Sequence, residues 1–368
     1  MKAIPPRAPV GARIWALLSH RSGEGQQILG LAEALERELG WGFRVLQPRW
    51  NALASPLGLL RRVGLAGVAP EDREALERES PDLVISSSLR NEPVARWIAR
   101  LGGGRTATVF LGRTWAPADA FDLTVTTPQY RVRPHPRVLE NPGTVHRLSN
   151  PGLAEARDRW AGAFATLPRP RLGVLVGGDS GPFVLGPRAA TRLAERARAL
   201  AGDGSVIVTT SARTAPEASA ALARGLQGTP YHLWRWAPEG DNPYFGILAW
   251  ADALLVTGDS IAMVSEAVAT GRPVRLFDLG GMRGDPAPAE RDRTPKARAY
   301  AALMRLGPRR LSRDLGLVHE RLVATGAAAW DDVPLPEHGP EAPPQVVADG
   351  HLGATVRRVK SIVEARRR

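Results

Sequence analysis

Cysteine is absent from the chain. That absence excludes disulfides, a thiol nucleophile and any thiolate-held zinc or iron–sulfur centre together. Histidine is scarce: the seven stand at 20, 135, 146, 232, 319, 338 and 351, and no two are spaced as a metal-binding pair on one helical face. No metal is expected. No apolar run approaches the roughly 18 to 20 residues that cross a bilayer. The first ten residues carry two basic side chains but no apolar core of signal-peptide length, so the expectation is a cytoplasmic protein. Lysine is nearly missing too. Only Lys2, Lys296 and Lys360 are present, so the formal net charge of +12 is carried almost wholly by arginine. The excess is even, with 22 Lys and Arg against 16 Asp and Glu up to residue 165, and 27 against 21 beyond it. With no basic segment interleaved with aromatics, no nucleic-acid partner is expected. The charge reads as a solvated arginine surface, or as attraction to anionic ligands or an anionic membrane face.

What is present is alternation. Short apolar runs at 13–19, 43–47, 82–88, 106–112 and 121–127 read as strands, with helical patterns at 27–40 and 92–102 between them. A second series opens with "RLGVLVGG" (171–178). It continues through helix 188–201, strand 205–210, helices 216–225 and 244–251, strand 253–257, helix 261–270 and strand 273–277. Such alternation is the signature of parallel sheets covered by helices. The fold class expected is α/β with two Rossmann-like domains, whose parallel sheets face a cleft that holds the ligand. The expected boundaries are 1–167, 168–330, a proline-rich connector 331–345, and a helix 346–368 that packs back through Leu352, Val356, Val359 and Val363. The basic run Arg366 to Arg368 reads as a solvated terminus.

Three loops lie where open α/β sheets bind ligands, after a strand and before a helix. In "SHRSGEGQQ" (19–27), Gly23 and Gly25 permit a sharp turn, and the amides from Glu24 to Gln27 open the helix toward an anion; a plain glycine turn is the alternative. In "GGDSG" (177–181), Gly177, Gly178, Asp179, Ser180 and Gly181 form a loop whose amides suit phosphate oxygens, or a plain tight turn. It lacks the Gly-Lys-Ser/Thr ending of a P-loop and the spacing of the dinucleotide fingerprint, which disfavours both chemistries. In the third, Gly258-Asp259-Ser260 leads into a helix, with Asp259 or Ser260 suited to the N-cap, and Met263 and Glu266 one and two turns on. The helix is otherwise apolar, with Val264, Ala267 and Val268. A carboxylate there accepts hydrogen bonds from the two ribose hydroxyls while the helix start takes phosphate, unless Glu266 is merely a surface glutamate.

The stretches "GQQILGLAEAL" (25–35), "PDLVISS" (81–87), "VLVGGDSG" (174–181), "TTSART" (209–214) and "NPYFGILAWADALLVTGDSIAMVSEAVATGRPV" (242–274) carry a resemblance. The second half resembles the nucleotide-binding domain of GT-B glycosyltransferases. Over about residues 13 to 278 the chain resembles the bacterial and plant ELM-type family, named for a plant mitochondrial-fission factor. The resemblance implies a GT-B-like fold, with Glu266 on the ribose of a nucleotide sugar. It places Ser260, Ile261, Ala262 and Met263 at the diphosphate and Gly177 to Gly181 at the glycine loop. Ser211, Arg213 and Thr214 fall in the next strand-to-helix loop, where Arg213 pairs with phosphate or is a plain surface arginine. Asn242 and Tyr244 are expected to line the same cleft. The family usually shows histidine or aspartate where this chain has Glu24, which becomes one candidate general base, with His20 as the other.

The function this implies is a metal-independent glycosyltransferase using a UDP-type nucleotide sugar, in cell-envelope or lipid-linked glycan synthesis. A nucleotide-sugar 2-epimerase and a non-enzymatic membrane-associated scaffold are the alternatives. Residues 49–69 mix Trp50, Leu53, Leu57, Leu59 and Leu60 with Arg49, Arg61 and Arg62. They read either as a hydrophobic flap of the first domain or as a peripheral contact with the inner membrane face, where a lipid-linked acceptor lies.

Overall fold

A computed structural model describes residues 13–19, 22–51, 54, 63–77, 79–283, 293–336, 346 and 351–367. They divide into two units. The first is built on β1 (Ile14–Leu17), β2 (Phe43–Leu46), β3 (Leu83–Ser87), β4 (Ala107–Leu111), β5 (Leu123–Thr126) and β6 (Val138–Glu140). All pair in parallel, in the order β2-β1-β3-β4-β5-β6. Parallel strands need crossovers, which α1 (Ser22–Leu39), α2 (Pro70–Glu77) and α3 (Asn91–Leu101) supply. Successive side chains of β1 point to opposite faces. Ile14 and Ala16 join Leu83, Ile85 and the α1 residues Ile28, Leu31 and Leu35 on one face. Trp15 and Leu17 join Val84, Phe110 and the α3 residues Val94, Ala95 and Ile98 on the other.

The last helix, α12 (His351–Arg367), packs along α1 in this unit. Its expected apolar stripe is used as read: Val359 and Val363 are buried in the core, and Leu352 and Val356 pack against it. Val359→Ala removes two methyl groups from a fully buried site and is expected to cost about 2 kcal/mol, read by urea denaturation. An unchanged midpoint would mean that the helix is not docked. Of the basic end, Arg368 lies outside the described residues, and Arg366 is exposed but also bonded to the first unit. The Arg366 guanidinium donates to Gly104 O and Thr106 O and meets Asp122 Oδ1 at 2.6 Å.

The second unit carries β7 (Arg171–Leu175), β8 (Ser205–Thr209), β9 (Tyr231–Trp234), β10 (Ala253–Thr257), β11 (Val274–Phe277) and β12 (Ala329–Trp330). They are again all parallel, in the order β12-β11-β10-β7-β8-β9. Its helices are α4 (Asn150–Arg159), α5 (Ala161–Phe164), α6 (Pro187–Ala201), α7 (Pro216–Gly225), α8 (Tyr244–Trp250), α9 (Ile261–Ala269), α10 (Pro295–Leu306) and α11 (Gly316–Ala324). Every residue of β7, β8 and β10 is buried, as expected of strands covered on both faces. Two doubly wound parallel α/β units are the fold class that the sequence implies.

The expected boundary at 167/168 shifts to 147/148. The cause is packing: Trp250 Nε1 donates to Arg157 O at 2.8 Å, and the Trp160 ring lies against Gly246, where an added Cβ would fall 2.4 Å from it. Residues 150–164 thus belong with the second sheet. Of the proline-rich connector, residues 337–345 lie outside those described. Of the segment 49–69, Leu53, Leu57, Leu59, Leu60, Arg61 and Arg62 lie outside them too. The described ends are packed inward. Trp50 bridges Val68, and Leu65 and Val68 are buried in the first unit's core. Among the described residues no helix is long and apolar enough to cross a membrane.

Candidate functional site

The strand order of the second sheet reverses between β7 and β10. From β7 the chain moves outward through β8 and β9, then returns to β10 and moves outward the other way. The carboxyl ends of β7 and β10 therefore open side by side, at the point where such sheets take ligands. The loops that emerge there are Gly177 to Gly181 and Gly258 to Ser260, two of the three predicted from sequence.

Asp259 fastens these loops to each other. Its side chain is 0% exposed and meets Arg213 Nη2 at 2.8 Å. Its Oδ2 accepts the Gly178 amide at 3.0 Å, and the Gly177 amide donates to Thr257 Oγ1 at 2.8 Å. Arg213, in the loop after β8, also donates to Gly178 O at 3.3 Å and Asp179 O at 2.9 Å. Ser211 Oγ donates to Gly177 O at 2.7 Å, and the Thr214 hydroxyl donates to the same carbonyl. The loop after β8 is thus a buttress of the glycine loop. Burial pushes the Asp259 carboxyl above the usual carboxylate range, with Arg213 and the Gly178 amide pulling the other way.

The glycines are required by this closeness. A Cβ on Gly177 would lie 2.3 Å from Asp259 Oδ2, and one on Gly178 would lie 2.2 Å from Arg213 O. The expected phosphate cradle is modified accordingly, because the Gly177 and Gly178 amides are spent inside the lock. Ser180 N bonds Phe183 O at 3.0 Å, and Asp179 Oδ1 accepts the Leu185 amide at 3.0 Å. Among the described residues the Asp179 and Gly181 amides have no acceptor.

Beyond Asp259 the chain enters α9. Ser260 stands at the N-cap position, one of the two residues expected there, but makes no side-chain capping bond, and the Asp259 carboxylate faces the glycine loop. The first amide that returns to the chain is Val264 N, to Ser260 O at 3.0 Å. The amides of Ile261, Ala262 and Met263 therefore have no partner within the helix, and this is the positive end of its dipole. Two turns on stands Glu266, half-buried, whose Oε2 accepts the Tyr244 hydroxyl. Asn242 Oδ1 holds the Tyr244 amide at 3.0 Å, where α8 begins. Burial, and then the charge of Glu266, raise the Tyr244 phenol well above its ordinary range, so it stays a donor. Asn242, Tyr244 and Glu266 are thus joined by a chain of contacts.

Residues 22–305 match the family model described as mitochondrial fission ELM1. The chain belongs to the mitochondrial fission ELM1 family. It is 28% identical over 243 residues to the mitochondrial fission protein ELM1 of Arabidopsis thaliana, a match that covers 58% of this chain and 57% of the plant protein. The match thus spans under two thirds of that relative. Among solved structures, the MurG of Acinetobacter baumannii is similar with a TM-score of 0.44 at 12% identity, over 96% of this chain and 94% of that one. The heptosyltransferase II of E. coli, titled for ADP-heptose and LPS, gives a TM-score of 0.44 at 14% identity, over 85% and 99%. The UDP-GlcNAc 2-epimerase of Neisseria meningitidis gives 0.45 at 11% identity, over 85% and 98%. Membership rests on the family model, not on these likenesses.

In this ELM1-family chain the first unit's loop differs from the turn expected. Gly23 and Gly25 lie inside α1, which begins at Ser22, and neither has positive φ. A glycine in the first turn reads locally like a turn glycine, because both leave amides open. Gln27 is half-buried in the same helix, and Glu24 Oε2 accepts Ser19 Oγ at 2.6 Å. His20 lies outside the described residues.

Sequence reasoning missed three side chains around the second-unit loops. His319 of α11 is fully buried, with Nε2 2.8 Å from Gly258 O and its ring edge-on to Trp330. Burial lowers its pKa, so the ring is neutral and donates through Nε2. Its signal was present, since Leu315, Val318, His319 and Leu322 share one helical face. Tyr300 of α10 lies under Gly181, whose Cβ would meet its ring at 2.9 Å. The Tyr300 hydroxyl accepts Arg313 N at 3.2 Å, and Arg313 Nη2 reaches Ser180 Oγ at 3.4 Å. Among the described residues no three His, Asp or Glu side chains are grouped to hold a metal.

Proposed function

We propose that the second unit binds a nucleoside-diphosphate sugar of the uridine type and that the protein is a metal-independent glycosyltransferase. What supports this reading most is Asp259. Its buried carboxylate ties the glycine loop to the approach of α9, so that two stretches of open amides are held as one rigid surface for an anion.

On this reading the diphosphate rests on the amides of Ile261, Ala262 and Met263, beside those of Asp179 and Gly181. The ribose hydroxyls donate to Glu266, whose orientation the Tyr244 hydroxyl fixes. In the transfer, an acceptor oxygen forms a bond to the sugar's anomeric carbon and gives up its proton to water. The bond from that carbon to the β-phosphate oxygen breaks, and the electron pair leaves with the diphosphate. Helix-start amides then meet more negative charge than in the bound substrate, the condition for lowering the barrier. Arg213 acts by positioning the glycine loop, since its guanidinium is engaged with Asp259 and two carbonyls.

Calorimetric titration with UDP tests the reading. Micromolar binding is expected, weakened by about 1.5 to 3 kcal/mol in Glu266→Ala, the size of hydrogen bonds to a charged acceptor. Tyr244→Phe keeps the packing and removes only the donor, and its loss should be smaller. Failure of UDP, GDP and their sugars alike to bind would end the enzyme reading and favour a scaffold.

A further inference from the structure

A groove of about 490 Å³ opens in the second unit directly beyond the glycine loop. That volume is within the range of roughly 300 to 1,000 Å³ usual for small-molecule sites. One wall is Phe183, two residues past Gly181. The facing wall is α10, from which Arg298, Ala301 and Arg305 line the groove, and Arg293 lines it just before the helix begins. Residues 298, 301 and 305 share one helical face by their three- and four-residue spacing. The wall is held in place from behind, because Tyr300 packs under Gly181 and its hydroxyl accepts Arg313 N, while Arg313 also reaches Ser180.

The charge of the lining is one-sided. Three arginines and one aromatic residue line the space among apolar neighbours such as Ala297 and Met304, and no acidic side chain is among the described lining residues. Arginine forks match a carboxylate in a planar, two-bond geometry, and an aromatic face suits the apolar side of a sugar ring. The groove adjoins the glycine loop, since Phe183 follows Gly181 by two residues and Tyr300 of the α10 wall packs against Gly181; on the nucleotide-sugar reading its occupant is therefore the group that the diphosphate carries.

We infer that this groove selects a nucleotide sugar whose glycosyl part bears a carboxylate. The inference rests on the nucleotide-sugar reading and adds the class of sugar. Arg298 and Arg305 recognise the acid, Phe183 covers the ring, and Ala301 leaves the room that the ring occupies.

UDP-glucose and UDP-glucuronate differ only at the sugar's C6 and serve as probes, with UDP as the reference, in calorimetric titrations of the full chain. The expected result is binding of the glucuronate at least about tenfold tighter than the glucose compound. In Arg298→Gln/Arg305→Gln, checked for an unchanged unfolding midpoint, this advantage falls to within about twofold. Ala301→Trp fills the groove and weakens both sugars relative to UDP. Equal affinity for the two sugars while UDP still binds overturns the groove assignment and leaves the nucleotide reading standing. A preference that survives the double substitution, or sugars untouched by Ala301→Trp, also overturns it. Absence of UDP binding overturns the nucleotide reading and the groove with it.

Discussion

Arg213→Ala is expected to destabilise the second unit by about 3 kcal/mol at pH 7, and by less at pH 5. The large term is the carboxylate left behind. Asp259 is 0% exposed and loses the cation that faces it; breaking a buried pair from one side costs about 3 to 5 kcal/mol, and solvent reaching the 42% exposed Arg213 side chain holds the cost at the bottom of that range. The lower end applies also because the carboxyl can escape by taking up a proton. Its pKa already lies above the usual 3.8 through burial, and Arg213 is the main opposing influence. The folded chain thus holds this proton more tightly than the unfolded chain. Between the unfolded and folded pKa values stability falls as pH rises, so the cost of burying Asp259 fades on acidification. Removing Arg213 raises the folded pKa further and moves that window toward neutrality. Urea denaturation of both proteins at pH 5 and 7 checks it; an equal difference at the two pH values would place the charge elsewhere.

Gly178→Ala should cost a similar amount, about 3 kcal/mol, at the upper end of what overpacking exacts. The new methyl would sit 2.2 Å from Arg213 O and 2.4 Å from Arg213 C, both main-chain atoms with no rotamer to take up. The two loops must part. In parting they lose the Gly178 amide bond to Asp259 and the Arg213 bond to Gly178 O, so UDP affinity falls with stability. Gly23→Ala is the control. Nothing lies within 4 Å of its added Cβ, and in the first turn of α1 a helix former in place of glycine is neutral or stabilising by up to about 1 kcal/mol. A Gly178→Ala variant as stable as Gly23→Ala would mean that the two loops are not locked.

The legible parts of the fold were those where one local pattern suffices. Strands β7, β8 and β10 are buried on both faces and appear in sequence as short runs with an apolar centre, and α7 and β10 fall where the sequence places them. The elements missed lie at sheet edges or carry mixed faces. β6, β9 and β12 are short and partly exposed, so they lack both the run and a clean alternation. The helices α4 and α5 went unread, and with them the true boundary, because only Leu153, Ala156 and Phe164 are buried in them.

At the site, spacing after strands located Gly177, Arg213, Asp259 and Glu266 but left open what each side chain faces. Ser211 and Thr214 turn to Gly177 O, and Arg213 to Asp259. Those partners are more than thirty residues away, where no periodicity reaches. Tyr244 is legible from its position at the start of α8. Its hydroxyl contact with Glu266 is a tertiary fact, set by how α8 and α9 flank the sheet.

The most direct measurement is a crystal structure of the full chain with UDP. The expected density places the diphosphate at the amides of Ile261 to Met263 and the ribose within hydrogen-bond distance of Glu266. Nucleotide bound in the first unit, or a ribose held by residues other than Glu266, would contradict the assignment of the second-unit loops as the nucleotide site.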